Sequence, residues 1–291
     1  MKLGLCLAGG GSKGIAHTGA IKALQEENIE FDFIAGTSSG SIVATLYALG
    51  YTPDEMYDIF KKYVKKIYYL DLKNIVGIII NLFKTGKLQV TGLNSGEMIY
   101  KLVKKFSKEK GIKNINEMKI PLLIPAVNIY NEELYVFYSK ESRNVEMPSH
   151  IHYVNDADIG AVVQASCSYP GIFCPCDKID NALLIDGGIV ENVPWREEKR
   201  VGADKVLSIV FSDAAPKKCC NSIFEILNKS FGILCHELTR YEWDGTDYLL
   251  EIKTDTKGLL NKKNLDKVYE NGYKQTKRFI KENPSLTRKM Q

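Results

Sequence analysis

Three short stretches hold residues able to do covalent chemistry. The first, Gly36-Thr37-Ser38-Ser39-Gly40, has the form G-x-S-x-G. Residues 31–35 before it read as a short strand, and residues 41–49 after it as a helix stopped by Gly50. Small flanking residues let the chain turn sharply, and a sharp strand-to-helix turn lifts the central side chain clear of the backbone. Ser38 would then sit at a helix N-terminus, where N–H groups favour negative charge, as the candidate nucleophile. The second stretch, Gly9-Gly10-Gly11-Ser12-Lys13-Gly14, follows an apolar run and opens a helix. Gly9, Gly11 and Gly14 spell the dinucleotide fingerprint G-x-G-x-x-G, with Glu30 or Asp32 about twenty residues on. A ribose-binding acid should end the second strand, however, and Asp32 begins it. The other chemical reading is an oxyanion hole: consecutive glycines leave N–H groups open to a developing negative charge, and the following helix adds its dipole. A plain tight turn is the least demanding reading. The third stretch, Asp186-Gly187-Gly188, ends a short apolar strand at 182–185.

A serine hydroxyl needs a base. The four histidines are His17, His150, His152 and His236, and none lies in a motif placed like the histidine of an α/β-hydrolase. His150 and His152 fall in a polar stretch that reads as surface. Asp186 is better placed, because a strand ending in Asp-Gly-Gly can reach the sheet edge that carries Ser38. Burial raises a carboxyl pKa, so such a carboxylate can accept the hydroxyl proton directly. By itself, Asp-Gly-Gly is a turn.

The elements that position these residues follow from hydrophobic pattern. Residues 3–8 read as a buried strand, 15–27 as a helix, then the strand at 31–35, the elbow and its helix; this order predicts a parallel sheet. Thr52-Pro53-Asp54-Glu55 is a capping-box helix start, and Ser222-Ile223-Phe224-Glu225 is another. A further helix runs from about residue 95 to Gly111. Residues 121–130 and 133–138 pair as strands around Asn131, 156–168 form a helix, and 205–211 and 248–252 are strands. A last helix covers roughly 262–282, and the tail from 283 is expected to fray. The apolar segment 75–83, flanked by Lys73, Lys84 and Lys87, is too short to span a bilayer. It reads either as a buried segment or as an interfacial lid with lysines at headgroup level.

Composition sets outer bounds. At 291 residues, 45% hydrophobic and 25% charged, the chain suits a globular protein with a substantial core. A net charge of +4 is too mild to imply nucleic acid, yet residues 61–119 carry 14 Lys against Asp71, Glu97, Glu109 and Glu117. That local excess reads either as solvated helix faces or as peripheral contact with an anionic membrane. Seven cysteines (Cys6, Cys167, Cys174, Cys176, Cys219, Cys220 and Cys235) form no CxxC pair and no zinc spacing, and read as free thiols of a reducing cytoplasm. The apolar run at 3–8 is shorter than the core of an export signal, so the expected location is cytoplasmic, with or without peripheral attachment to a membrane.

Taken in order, the motifs resemble those of a bacterial patatin-like phospholipase. The resemblance rests on residues 3–14, on 36–44, on Ala165-Ser166 with Pro170, Phe173 and Pro175, and on Asp186-Gly187-Gly188 with Asn192 and Pro194. It implies a three-layer α/β/α sandwich with a mostly parallel central sheet. The expected organisation is one domain over 1–291, with a motif-bearing core at 3–198 and a C-terminal part, 199–291, packed on it. It implies a lipid substrate and hydrolysis of fatty-acyl esters through a Ser38–Asp186 dyad and an acyl-serine intermediate. Gly10, Gly11 and Ser12 would form the oxyanion hole by their N–H groups, and Lys13 would brace the loop. Gly9, Gly14, Gly36, Gly40, Gly187 and Gly188 support the turns. No cofactor or metal is implied. An acyltransferase using the same acyl-enzyme and a catalytically weak lipid-binding module are the alternative activities.

Overall fold

The computed structural model describes residues 1–67, 71–86, 90–140, 148–213, 222–254 and 264–287. Cys219, Cys220 and Lys87 lie outside them. The N-terminal apolar run forms β1 (Leu3–Leu7), buried throughout. Leu3, Leu5 and Leu7 enter one core cluster, and Cys6 and Ala8 enter a second on the opposite face. This is the alternation of a strand covered on both sides, which explains a continuous apolar run where a half-exposed strand would alternate with polar residues. A glycine turn leads to α1 (Ile15–Glu26), and β2 (Phe33–Gly36) returns parallel to β1, with Leu7 level with Gly36. The elbow follows and opens α2 (Ser39–Ala48).

Three helices come next: α3 (Pro53–Ile67), α4 (Leu72–Thr85) and α5 (Glu97–Glu109). The expected box starts α3: Thr52 Oγ1 accepts the Glu55 N–H at 3.3 Å and the Glu55 carboxylate accepts the Thr52 N–H at 2.8 Å. The strands β3 (Leu122–Asn128), β4 (Glu133–Tyr138) and β5 (Ile151–Val154) precede α6 (Ile159–Ser166), β6 (Leu184–Asp186) and α7 (Trp195–Val201). The chain closes with β7 (Lys205–Asp213), α8 (Ile223–Glu242), β8 (Tyr248–Thr254) and α9 (Leu265–Glu282). The sheet order is β5-β4-β3-β2-β1-β7-β8, with β6 paired to β3. Pairing is parallel except where β3 meets β4 and β6. Helices α1, α2, α3, α5, α6 and α9 build the larger core on one face, while α7 with Val193, Trp195 and Trp243 covers the other. The expected α/β/α architecture with a mostly parallel sheet is the one observed.

Two expectations need correction. The apolar segment 75–83 is not buried: it forms the middle of α4, on which Val76, Ile80, Leu82 and Phe83 are exposed, Phe83 by 85%. A helix apolar on most sides covers the protein with only one of them, and the rest faces outward. The tail from 283 does not fray at once. Pro284–Leu286 form a single 3-10 turn, Leu286 is buried, and the Ser285 hydroxyl lies 3.1 Å from that of Tyr248.

Candidate active site

Parallel β1 and β2 end side by side, and the chain turns into a helix after each. This brings the glycine loop and the elbow together. At the elbow Ser38 takes φ +52° and ψ −123°, a conformation that costs a non-glycine residue about 1–3 kcal/mol and persists only when its surroundings enforce it. They do. The Ser38 N–H donates to Ser166 Oγ at 3.0 Å, and its carbonyl accepts from the Ser41 hydroxyl at 2.6 Å. The Gly40 N–H closes the turn on the Thr37 carbonyl at 2.8 Å. Gly40 has to be glycine, since a Cβ there would lie 2.1 Å from the Leu7 carbonyl oxygen. Gly36 is buried beneath the turn, at the end of β2. From Phe33 to Leu49 every residue is buried except Ser38.

The glycine loop wraps beside the serine. The Gly9 N–H donates to Asn192 Oδ1 at 2.8 Å and the Gly10 N–H to Ser39 Oγ at 3.1 Å. Gly11, with φ +61°, begins a 3-10 turn through Gly14 that runs into α1, and Ser12, Lys13 and Gly14 within it are buried. The Lys13 ammonium lies 5.8 Å from the centre of the Phe211 ring. Of the three N–H groups expected to bind an oxyanion, that of Gly10 is thus already engaged by a side chain. Those of Gly11 and Ser12 start a helical turn and have no intrahelical acceptor.

Asp186 ends β6, held by β3 through the pairing of Ala126 with Asp186. Its carboxyl is buried. Oδ1 accepts the Gly188 N–H at 2.8 Å, while Oδ2 makes no aligned hydrogen bond. Gly187 and Gly188 continue into a 3-10 turn beyond it. Burial pushes the Asp186 pKa up from 3.8 to about 7, against the pull of the nearby Ser38 hydroxyl and the Gly188 N–H. Ser38, Asp186, Gly9, Gly10, Gly11, Lys13 and Gly188 all line one cavity of about 250 Å3. Ile42, Ile67, Ile99, Ile172 and Phe173 give it an apolar wall, so an acyl chain fits its chemistry better than a sugar or nucleotide.

Other candidates fall away on position. Asp32 accepts the Leu3 N–H at 2.8 Å, at the start of β1 and so at the opposite end of the sheet from the glycine loop. A ribose held by it could not share a dinucleotide with that loop. His17 is fully buried with Nε2 against the Ala8 carbonyl at 2.8 Å, and desolvation lowers its pKa to about 4. His152 lies on β5 and stacks on Tyr135 at 4.6 Å. Among the described histidines only His236, on α8, lines the cavity. No group of three or more His, Cys, Asp or Glu among the described residues is disposed to hold a metal.

Sequence reasoning missed the α8 wall. Cys235, His236 and Thr239 line the cavity from this helix, and Phe211 and Trp243 do so from its neighbours. Nothing local marks them, because α8 joins the site only through the tertiary fold. Asn192 was visible as part of the Asp186 motif, but its bond to Gly9 was not.

A family model for patatin-like phospholipase matches residues 5–198. Among curated relatives, lysophospholipase NTE1 of Eremothecium gossypii is 31% identical over 209 residues and that of Meyerozyma guilliermondii 27% over 207. Each match takes in 71% of this chain but 12% of the relative, so the chain spans about an eighth of their length. VipD from Legionella pneumophila matches with a TM-score of 0.57 at 17% identity, covering 97% of this chain and 67% of that one. ExoU, in its complex with SpcU from Pseudomonas aeruginosa, matches at 0.51 and 15% identity, covering 97% and 51%. These two structures speak for the fold alone. The two curated relatives named are fungal, so the bacterial qualifier of the sequence reading finds no support in them. With the family model covering two-thirds of its length, the chain belongs to the patatin-like phospholipase family.

Proposed function

We propose that the chain is a lipid acyl hydrolase of the phospholipase A or lysophospholipase type. Ser38 Oγ attacks the ester carbonyl while Asp186 Oδ2 takes its proton. The tetrahedral oxyanion is met by the N–H groups of Gly11 and Ser12, joined by that of Gly10 when the Ser39 hydroxyl releases it. The alcohol leaves with the proton returned by Asp186, and water activated by the same carboxylate then frees the fatty acid. One observation carries the reading: a strained serine and a buried carboxyl oxygen with no aligned partner open together into an apolar cavity. In this reading 1–291 acts as one unit, since β7 and β8 extend the sheet that begins with β1.

We also place the enzyme at a lipid surface, and the support lies less in the lysines than the sequence suggests. Lys61 pairs with Asp266 at 2.7 Å, Lys104 with Asp158 at 2.5 Å, and Lys101 and Lys105 approach Glu97 and Glu109. The stronger support is apolar exposure on α4 and α8: Phe83 by 85%, Ile223 by 78% and Leu234 by 68%. No described helix is long and apolar enough to cross a membrane, which leaves these faces for peripheral contact. Free thiols at Cys6, Cys167, Cys174, Cys176 and Cys235 fit the expected cytoplasmic side.

The test is release of fatty acid from a long-chain acyl ester by wild type, Ser38→Ala and Asp186→Asn, with chelator present. Both variants should lose a factor of ~10³ or more. Near-full activity in Asp186→Asn would remove the carboxylate from its role, and an inert wild type would remove the hydrolase reading.

A further inference from the structure

The segment after the Asp186 turn is held from three sides. Thr37 Oγ1, in the elbow, donates to the Glu191 carbonyl at 3.2 Å. The Gly9 N–H donates to Asn192 Oδ1 at 2.8 Å, and Asn192 Nδ2 donates to Thr239 Oγ1 of α8 at 3.1 Å. The N–H groups of Asn192 and Val193 both converge on one carboxylate oxygen, Oε2 of Glu242, at 2.8 and 3.1 Å. Glu242 is the last residue of α8 and is buried. Its own carbonyl is fastened from the same side by the Trp195 indole N–H at 2.6 Å and by Arg196 Nη1 at 2.9 Å.

Asn192 Oδ1 has little freedom. A Cβ on Gly9 would lie 2.8 Å from it and one on Gly188 3.1 Å from it. One amide oxygen therefore touches both the loop expected to bind the oxyanion and the residue whose N–H holds Asp186 Oδ1. Whatever fixes the Asn192 backbone fixes these two at once. We infer that Glu242 is a positioning residue, which through Asn192 holds the Gly9–Gly11 loop in place and ties it to helix α8. This rests on the hydrolase reading for its effect on turnover, but not for its effect on the loop.

The tie has a use. α8 walls the cavity with Cys235, His236 and Thr239, while Ile223, Leu227, Ile233 and Leu234 on the same helix are exposed. A shift of α8 on contact with lipid reaches Asn192 through Thr239 and Glu242, so the packing of the helix and the geometry of the loop change together. Neither partner is dispensable. Replacing Glu242 by an apolar residue leaves two buried N–H donors without an acceptor, and their search for one displaces Asn192. A displacement of about 1 Å in a catalytic group is enough to cost about 100-fold in rate.

The test uses the full chain and a water-soluble short-chain ester, so that lipid binding does not enter. Glu242→Leu should lower kcat by ~10- to 100-fold with KM within about twofold. Glu242→Gln, which keeps an acceptor oxygen, should recover most of that loss. Amide hydrogen exchange of the peptide covering residues 7–14 should quicken in Glu242→Leu and stay near wild type in Glu242→Gln, with β7 unchanged in both. If Glu242→Leu fails to fold, Thr239→Val removes the acceptor of Asn192 Nδ2 and should shift both readouts in the same direction by less. A folded Glu242→Leu with wild-type kcat and unchanged exchange at 7–14 overturns the inference. Faster exchange at 7–14 in a chain whose wild type hydrolyses no ester upholds the tie and removes the hydrolase reading instead.

Discussion

Asp186→Asn should change stability in a way that depends on pH and reverses sign. The carboxyl titrates near 3.8 in an unfolded chain and at about 7 in the fold, because burial disfavours its charge. Between these values the native state holds a proton that the unfolded state has released. Stability is therefore fully present below pH 4 and falls as pH rises to 7, by about 4 kcal/mol in all. Asparagine carries no such charge and escapes the fall. It brings a fixed cost instead, because its Nδ2 would replace Oδ2, which has no aligned partner. An amide left there costs about 1–3 kcal/mol at every pH. The variant should thus be less stable than wild type at pH 4, by about 1–3 kcal/mol, and more stable at pH 8 by a similar margin. Urea unfolding of both proteins at the two pH values measures the gap directly. Titrations common to the two chains, including those of Glu191, Glu198 and Glu242, cancel in the comparison. A gap that stays constant from pH 4 to pH 8 would refute the burial of an ionising Asp186 and remove its standing as a tuned base.

Four further expectations rest on the same geometry. The kcat/KM profile should rise with pH through about 7 as Asp186 loses its proton; a profile flat from pH 5 to 8 would count against it as the base. Gly40→Ala should cost about 3 kcal/mol in urea unfolding, since its Cβ meets the Leu7 carbonyl and central β1 has nowhere to retreat. By contrast, Gly77→Ala on α4, with open space around it, should gain up to about 1 kcal/mol in helix propensity. Phe83→Asp and Leu234→Asp should leave stability within about 0.5 kcal/mol yet weaken sedimentation with anionic vesicles; unchanged sedimentation in the double variant would rule out these faces as the lipid contact.

The fold was legible where a local pattern had one structural solution. Residues 3–8 are apolar without alternation because β1 is covered on both faces, and Thr52 and Glu55 form the reciprocal cap that their spacing predicts. The elbow was legible for a similar reason: few sequences satisfy a turn in which a Cβ at position 40 would lie 2.1 Å from a backbone oxygen. What stayed hidden was decided by tertiary neighbours. β5 carries His152 in a stretch that reads as polar loop, and only pairing with β4 makes it a strand. The apolar run of α4 cannot reveal its own exposure, since a buried and an interfacial helix share one composition. Thr239 and Glu242 act on Asn192 from about 50 residues away, a distance at which no spacing rule operates.

The two central groups of the proposed site share a physical character. Ser38 is held in backbone strain, and Asp186 is held out of water with one oxygen lacking an aligned hydrogen bond. Each is a cost to folding, and each is imposed by the central sheet: β1 and β2 fix the elbow, and β3 fixes the end of β6. A histidine would ordinarily supply a base titrating near neutrality. Here burial alone brings a carboxyl to about 7, and the one deeply buried histidine beside the loop, His17, is shifted the other way and turned toward Ala8. The same desolvation acts on both residues with opposite sign, because it penalises the charged form of each. It makes the acid the stronger base of the pair, which is why the proposed mechanism assigns the proton of Ser38 to Asp186 and not to an imidazole.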